Sequence, residues 1–583
     1  MLKRPPAPSV TATPNRTSGV CRAYGLPGGP STRASRVLLF LALTVPALAE
    51  NASRPLQLTE ELPTLKCLGV RWLIAGDANR NARVEVAYRK VAEAQWRKAL
   101  DLFRVDPQGM RSAVRPPSGH FLFAGSVFGL DEDTDYEVRL SLKDPDGGDT
   151  EKVVKMRTWA EPKLPLHSLA IQVTPDGLAA ALAKARPGDV LHLAKGVYKG
   201  TFRPPSGEPG KPVCLVGEDG AVLDGDGKAN CISAPGSHDI ILENLAFRNA
   251  TWALNFNASA RITVRRCLIT DCEYGFVATG NAPAIERILI ADCTMKGPST
   301  WPRTKGIENA RGIQIAGQGN VVCYNRISGY ADAIDTFSSY PCSAIDFYGN
   351  EISECTDDGI EMDYSEHNTR CFENRLTNCF QGISIQPIHG GPVYVFRNAM
   401  LNLGLETFKM HNAPSGGLFF HNTSVKAGIP LVLWTGQPVT NCVYRNNLFI
   451  GTAANYAYET TAPMRDCDFD FDGFGGDWKS FLKWNSARYA TVEEARDKCP
   501  VYKHAVRVDT ATLFASGLKP PTDEKAQLPP TANDLRLKEG SAAIDVGAPL
   551  PNINDGFAGK APDLGAYELG APLPHYGPRP IPR

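Results

Sequence analysis

Across residues 171–450 the chain alternates short apolar runs with polar turns, and one arrangement recurs. Asn stands at Asn325, Asn350, Asn374, Asn398, Asn422 and Asn447, at spacings of 25, 24, 24, 24 and 25. About eight residues after each of the first five comes a short apolar segment. These are Ala333-Ile-Asp-Thr, Gly359-Ile-Glu-Met, Gly382-Ile-Ser-Ile, Thr407-Phe-Lys-Met and Leu431-Val-Leu-Trp. Looser copies fall at 240–247, 262–269 and 288–295. Runs this short and this rich in β-branched residues predict strands rather than helices. A fixed period of about 24 with several strands per repeat predicts stacked coils of a parallel β-solenoid. The recurring Asn then forms a hydrogen-bonded ladder at one turn. Phe372, Phe396 and Phe420 repeat with the same period and are expected to stack.

Other patterns flank the repeats. Residues 65–160 hold short alternating runs such as Val70-Arg-Trp-Leu-Ile and Val84/Val86/Tyr88, broken by turn residues, which predict a β-sandwich. Residues 178–185 form a short Ala-rich helix suited to covering the open first coil. Residues 1–36 carry six basic residues and no acid, and an apolar run from Val37 to Ala49 ends in Ala47-Leu48-Ala49. That combination predicts a secretory signal over 1–49. The run is shorter than the roughly 20 residues a bilayer span needs. The expected organisation is therefore all-β: signal 1–49, sandwich 65–160, solenoid with a helical cap 168–455, and C-terminal coils with a closing segment 456–583. Export and a monomer without a membrane span are the matching expectations.

Composition narrows the function. The 62 basic residues balance 62 acidic ones, and loss of 1–49 leaves 56 against 62. A mildly acidic chain is not expected to bind nucleic acid, which calls for a basic excess. An odd number of Cys, 15 in all, without zinc spacing, argues against a disulfide framework. Cys267, Cys293, Cys323 and Cys371 read as small buried hydrophobes.

Three resemblances follow from quoted residues. The helix at 178–185, the Pro187-Gly188-Asp189 turn and Gly196-Val197-Tyr198 resemble the start of the pectate-lyase-like right-handed parallel β-helix superfamily. Pro562-Asp-Leu-Gly-Ala-Tyr-Glu568 resembles a closing motif of secreted bacterial β-helix proteins. Trp72 and the corner ending at Tyr136 resemble a fibronectin type III domain. The resemblance implies the fold, and one fold hosts many reactions.

The candidate chemistry comes from strand periodicity. With Ile313, Ile334, Ile360, Ile383, Phe408 and Leu431 inward, the outward column reads Gln314, Asp335, Glu361, Ser384, Lys409, Val432. Two residues on, a second column reads Ala316, Phe337, Asp363, Gln386, His411, Trp434. Coils lie about 4.8 Å apart, so Asp335, Glu361 and Asp363 cluster. Clustered carboxylates need a proton or a cation, and an all-oxygen set suits Ca²⁺. A calcium on Asp335, Glu361 and Asp363 would acidify the C5 proton of a uronic acid. Lys409 or His411 would take that proton, with Ser384, Gln386 and Trp434 contacting an acidic polysaccharide. The expected reaction is β-elimination by a lyase. The insertion at 297–311 carries Trp301, Arg303, Lys305 and Arg311, which would wall the groove and hold anionic sugars.

Glu361-x-Asp363 with Asp335 resembles the calcium site of chondroitinase-B-like and alginate-lyase-like β-helix enzymes. Their Lys base is missing here, where His367, Asn368 and Arg370 stand, and the next coil offers His389. His367 and His389 are thus further catalytic candidates. A glycoside hydrolase is the rival: Thr356-Asp357-Asp358-Gly359 with Asp332 and Asp335 loosely resembles polygalacturonases, without their Gly-His-Gly or Arg-Ile-Lys. The same Asp-Asp-Gly reads more simply as a turn entering a strand. A non-catalytic carbohydrate-binding surface protein is the third possibility. Asp468-Phe-Asp-Phe-Asp472-Gly473 begins like a calcium loop but alternates like a strand, which is the preferred reading.

Overall fold

The computed structural model describes residues 50–165, 170–304, 308–336 and 339–580. The predicted signal at 1–49, Lys305 and Phe337 lie outside them. Among the described residues no helix is long and apolar enough to cross a membrane.

The repeats form a right-handed β-helix of about 13 turns. One parallel sheet runs from Ala170–Val173 to Met464–Arg465, and a second carries the remaining coil strands. In the second sheet, long strands span the positions of two shorter ones. Glu351–Glu361 pairs with both Arg326–Ser328 and Asp332–Thr336. The register places Gln314, Asp335, Glu361, Ser384 and Lys409 side by side, as the periodicity predicts. Ile313, Ile334, Ile360, Ile383 and Phe408 fill the lumen.

The Asn ladder forms as expected. Each Oδ1 accepts the backbone N–H and the Nδ2 of the preceding Asn, from Asn325–Asn350 through Asn422–Asn447 at 2.9–3.1 Å. Its last rung is an acid: Asn447 donates twice to Asp472 Oδ1, at 2.8 and 3.0 Å. The Asp468 segment is accordingly a strand, Asp468–Asp470, and no calcium loop. The first coil is covered by Leu178–Leu182, whose Leu178 and Leu182 enter the core. The four predicted coil cysteines are buried.

Two four-stranded antiparallel sheets precede the solenoid. Their core holds Trp72, and Tyr136 accepts a hydrogen bond from the Asp131 backbone at 2.9 Å. The module begins earlier than its alternation suggests, since Arg54–Glu60 pairs with Leu68–Ala75.

This sandwich clamps the first sheet's outer face. Tyr348, Phe372 and Phe396 stack at 5.0 Å intervals, and Phe128 meets Phe396 edge-on. Phe420 joins the same cluster. Beside it lies a fully buried polar network: Arg370 pairs with Asp346, Thr64 donates to Asp346 at 2.5 Å, and Arg370 donates to Ser126 at 3.1 Å. After the last coil strand, Val506–Val508, the chain runs back over the middle coils. Asn533 donates to the Leu376 carbonyl, Trp301 of the insertion donates to that of Ala526, and Arg579 reaches Asp292.

Candidate functional site

Six carboxyl groups meet on the second sheet across two coils. Asp332 and Asp335 lie on Asp332–Thr336; Asp357, Asp358 and Glu361 end the next strand; Asp363 follows it. Three cations join them. Arg311 bonds Asp332 at 2.8 Å and Asp335 at 3.2 Å, Lys409 bonds Asp358 at 2.6 Å, and Arg303 lies 3.7 Å from Asp357. Six acids against three bases leave an excess of negative charge in a mostly buried setting.

That excess shifts the acids. Burial, then the Glu361 charge one coil away, pushes Asp335 up to about 8. Burial and the neighbouring Asp357 and Glu361 carry Asp358 to about 7, with Lys409 opposing. Burial and like charges also drive Asp332 and Asp363 well above the usual carboxylate range. Lys409 goes the other way. Burial disfavours its charge, but Asp358 outweighs it and holds the ammonium more firmly protonated.

One column escaped the period-2 reading. Ile334 pairs with Ile360, yet the register slips between Cys355 and Asp358. Asp357-Asp358-Gly359 is thus no turn but an irregular stretch inside a strand. The slip brings Asp358 to Lys409, and Asp332 Oδ1 accepts the Asp358 N–H at 2.7 Å. Strict alternation from Ile360 would have hidden Asp358 in the lumen. The available signal was two adjacent acids next to a glycine, one period after Asp332.

The predicted residues divide. Asp335, Glu361, Asp363, Ser384, Lys409, Arg303 and Arg311 come together. Ser384 Oγ and the backbone N–H of Gln386, rather than its side chain, both donate to Asp363 Oδ1, at 2.7 and 2.5 Å. Ser384 therefore supports an acid. His411 pairs with Glu406 at 3.0 Å, and Glu406 also accepts the Trp434 backbone N–H at 2.9 Å. Trp434 is 47% exposed. His367 and His389 sit at the sandwich seam: His367 pairs with Glu61 at 2.6 Å, and His389 Nε2 lies 2.8 Å from the Tyr340 hydroxyl. Burial lowers the pKa of His389.

Two oxygens of the predicted calcium trio are already engaged. Asp335 Oδ2 already accepts from Arg311 and Gln314, and Asp363 Oδ1 from Ser384 and Gln386. Among the described residues, the carboxylates whose oxygens lie within 4.8 Å of one another are Asp332, Asp357 and Asp358. Asp358 Oδ1 is buried without a hydrogen-bond partner. Arg311 and Lys409, however, already occupy the other sides of Asp332 and Asp358. The set fits a proton better than a further cation.

A family model described as "Right handed beta helix region" matches residues 225–398. No curated protein matches the sequence. Among solved structures, an alginate lyase from Paenibacillus sp. str. FPU-7 is 14% identical, with a TM-score of 0.30, over 51% of this chain and 97% of that one. The PL6 family alginate lyase AlyGC is 14% identical, TM-score 0.35, over 70% of this chain and 60% of its own length. The catalytic domain of a GH87 alpha-1,3-glucanase bound to nigerose is 10% identical, TM-score 0.26, over 71% and 94%. At scores this low the likeness decides neither reaction nor substrate.

Proposed function

We propose that the acidic face is the active centre of a polysaccharide-acting glycoside hydrolase. The observation that carries this reading is the pair Asp335 and Glu361. They are register neighbours on adjacent coils, and Asp335 holds its proton to about 8 because it is buried and faces Glu361. A protonated carboxyl beside a second carboxylate is the acid and base set of glycosidic cleavage. Asp335 donates its proton to the leaving glycosidic oxygen. Glu361, half-buried and open to the groove, attacks the anomeric carbon. Water then releases the sugar, with Asp335 acting as base.

Adjacent coils stand about 4.8 Å apart, close to the roughly 5–5.5 Å carboxyl separation of retaining enzymes. The products should therefore keep their anomeric configuration.

A second reading has one observation in its favour. The Asp332, Asp357 and Asp358 oxygens form a compact all-oxygen set, which in a calcium-loaded enzyme would serve elimination on a uronan. The firmly protonated Lys409 argues against its acting as the base, because an ammonium cannot take the C5 proton.

Incubation with panels of neutral and uronic-acid polysaccharides separates the two. Hydrolysis gives reducing ends without ultraviolet-absorbing unsaturated ends and persists in chelator. Unsaturated ends that vanish on chelation would overturn the hydrolase.

A further inference from the structure

Beyond the acidic cluster, toward the C-terminal coils, lies a cavity of about 540 Å³ that the proposed chemistry does not use. Val432 and Trp434 form one side. Lys426 and Thr522–Lys525 of the returning C-terminal segment also line it. Lys426 is almost fully buried. Its Nζ donates to the carbonyls of Ala427 and Ile429, at 2.9 and 3.0 Å. Those two bonds leave its third N–H donor uncommitted. Trp434 is the opposite case, a large aromatic left open. Its backbone is tied to Glu406, which His411 holds from the other side. Lys426 and Lys525 offset Asp523 and Glu524, so the cavity is charge-balanced.

The cavity's place in the repeat indicates what it would take. Glu361, Ser384 and Lys409 are successive register partners, and Trp434 follows on the next coil. Trp434 therefore lies about 14 Å along the solenoid from the reacting pair, at about 4.8 Å per coil. An extended glycan laid along the axis advances about one sugar per coil. An exposed indole face with flanking donors and acceptors suits a pyranose ring, whose apolar face stacks while its hydroxyls pair.

We infer that the Trp434 cavity is a distal subsite for a neutral pyranose unit, engaged three sugars away from the bond cleaved at Asp335 and Glu361. The inference rests on the hydrolase reading for the position of that bond. It implies that the enzyme acts on chains long enough to span both places. It also assigns His411 and Glu406 as positioning residues for Trp434.

Calorimetry on Glu361→Gln, which binds without cleaving, tests the subsite with gluco-, xylo- and manno-oligosaccharides of two to six units. Affinity should rise sharply once the chain reaches the cavity. Adding Trp434→Ala should weaken the longest binder by about tenfold and leave disaccharide binding unchanged, and Trp434→Phe should restore most of the loss. Equal affinity of Trp434→Ala at every length, or no binding of any length, overturns the subsite. Cleavage by the unsubstituted enzyme with a KM independent of chain length would sink the subsite and spare the hydrolase. Length-dependent binding without hydrolysis would support the subsite and sink the hydrolase.

Discussion

Two buried charge clusters of the solenoid treat charge in opposite ways. At the sandwich seam, Asp346 and Arg370 are wholly buried, yet each is answered: Arg370 by Asp346 and Ser126, Asp346 also by Thr64. One acid meets one base. On the second sheet, six acids meet three bases, and Asp335 and Asp358 are pushed up to about 8 and about 7. A balanced buried pair fixes two modules in register. A surplus of carboxyls stores protons near neutral pH, which structure alone does not need and acid catalysis does.

The comparison breaks if the two regions respond alike to substitution. The largest effect belongs to the reacting pair. Asp335→Asn should lower kcat on the responsive glycan by ~10²–10⁴-fold, the usual worth of a general acid. Thermal unfolding should show no loss of stability, because Asn mimics the protonated acid. A fall in melting temperature matching the lost activity would make Asp335 merely structural.

Arg370→Ala should do the reverse. It strands Asp346 in the seam and should cost about 3–5 kcal/mol, as removing one partner of a buried pair does. Activity per folded molecule should stay unchanged. Unchanged stability would mean that the seam is not held by this pair.

Smaller effects come from the ladder. Asn374→Ala removes the acceptor of the Asn350 N–H and of one Asn350 Nδ2 bond, and the Nδ2 donor to the Phe347 carbonyl, and should cost about 1–3 kcal/mol in denaturant titration. A neutral outcome would remove the ladder from the account of coil stacking.

The effect at the ladder's end depends on pH and is smallest near pH 4. Burial lifts Asp472 to about 8 from an ordinary 3.8. Between those values the folded form holds a proton that the unfolded form has lost. Stability contributed here is full below about pH 4 and declines as pH rises toward 8. Asp472→Asn should flatten that decline and leave stability near pH 4 unchanged. An identical pH profile in both proteins would contradict the shift.

Much of the architecture was legible because it repeats. One Asn every 24 or 25 residues and one inward Ile per coil state the period, and the period places Asp335 beside Glu361. A break in period hid Asp358: the slip after Cys355 turns a residue that counting sends into the lumen toward Lys409. The seam was illegible for a different reason. Glu61 and His367 meet from segments about three hundred positions apart, and nothing local in His367-Asn368 distinguishes a clamp from a base. The sugar-facing chemistry was half legible. The acids were found, but Lys409 reads as a base until Asp358 is seen to hold its proton.

The central claim is that Asp335 keeps a proton near neutral pH because it is buried and Glu361 faces it. Carboxyl carbon NMR, with Asp335 assigned by its loss in Asp335→Asn, measures this without any substrate. The account predicts titration near 8 in the unsubstituted protein and a clear downward shift in Glu361→Gln. Titration of Asp335 in the ordinary carboxylate range, unmoved by Glu361→Gln, would contradict it.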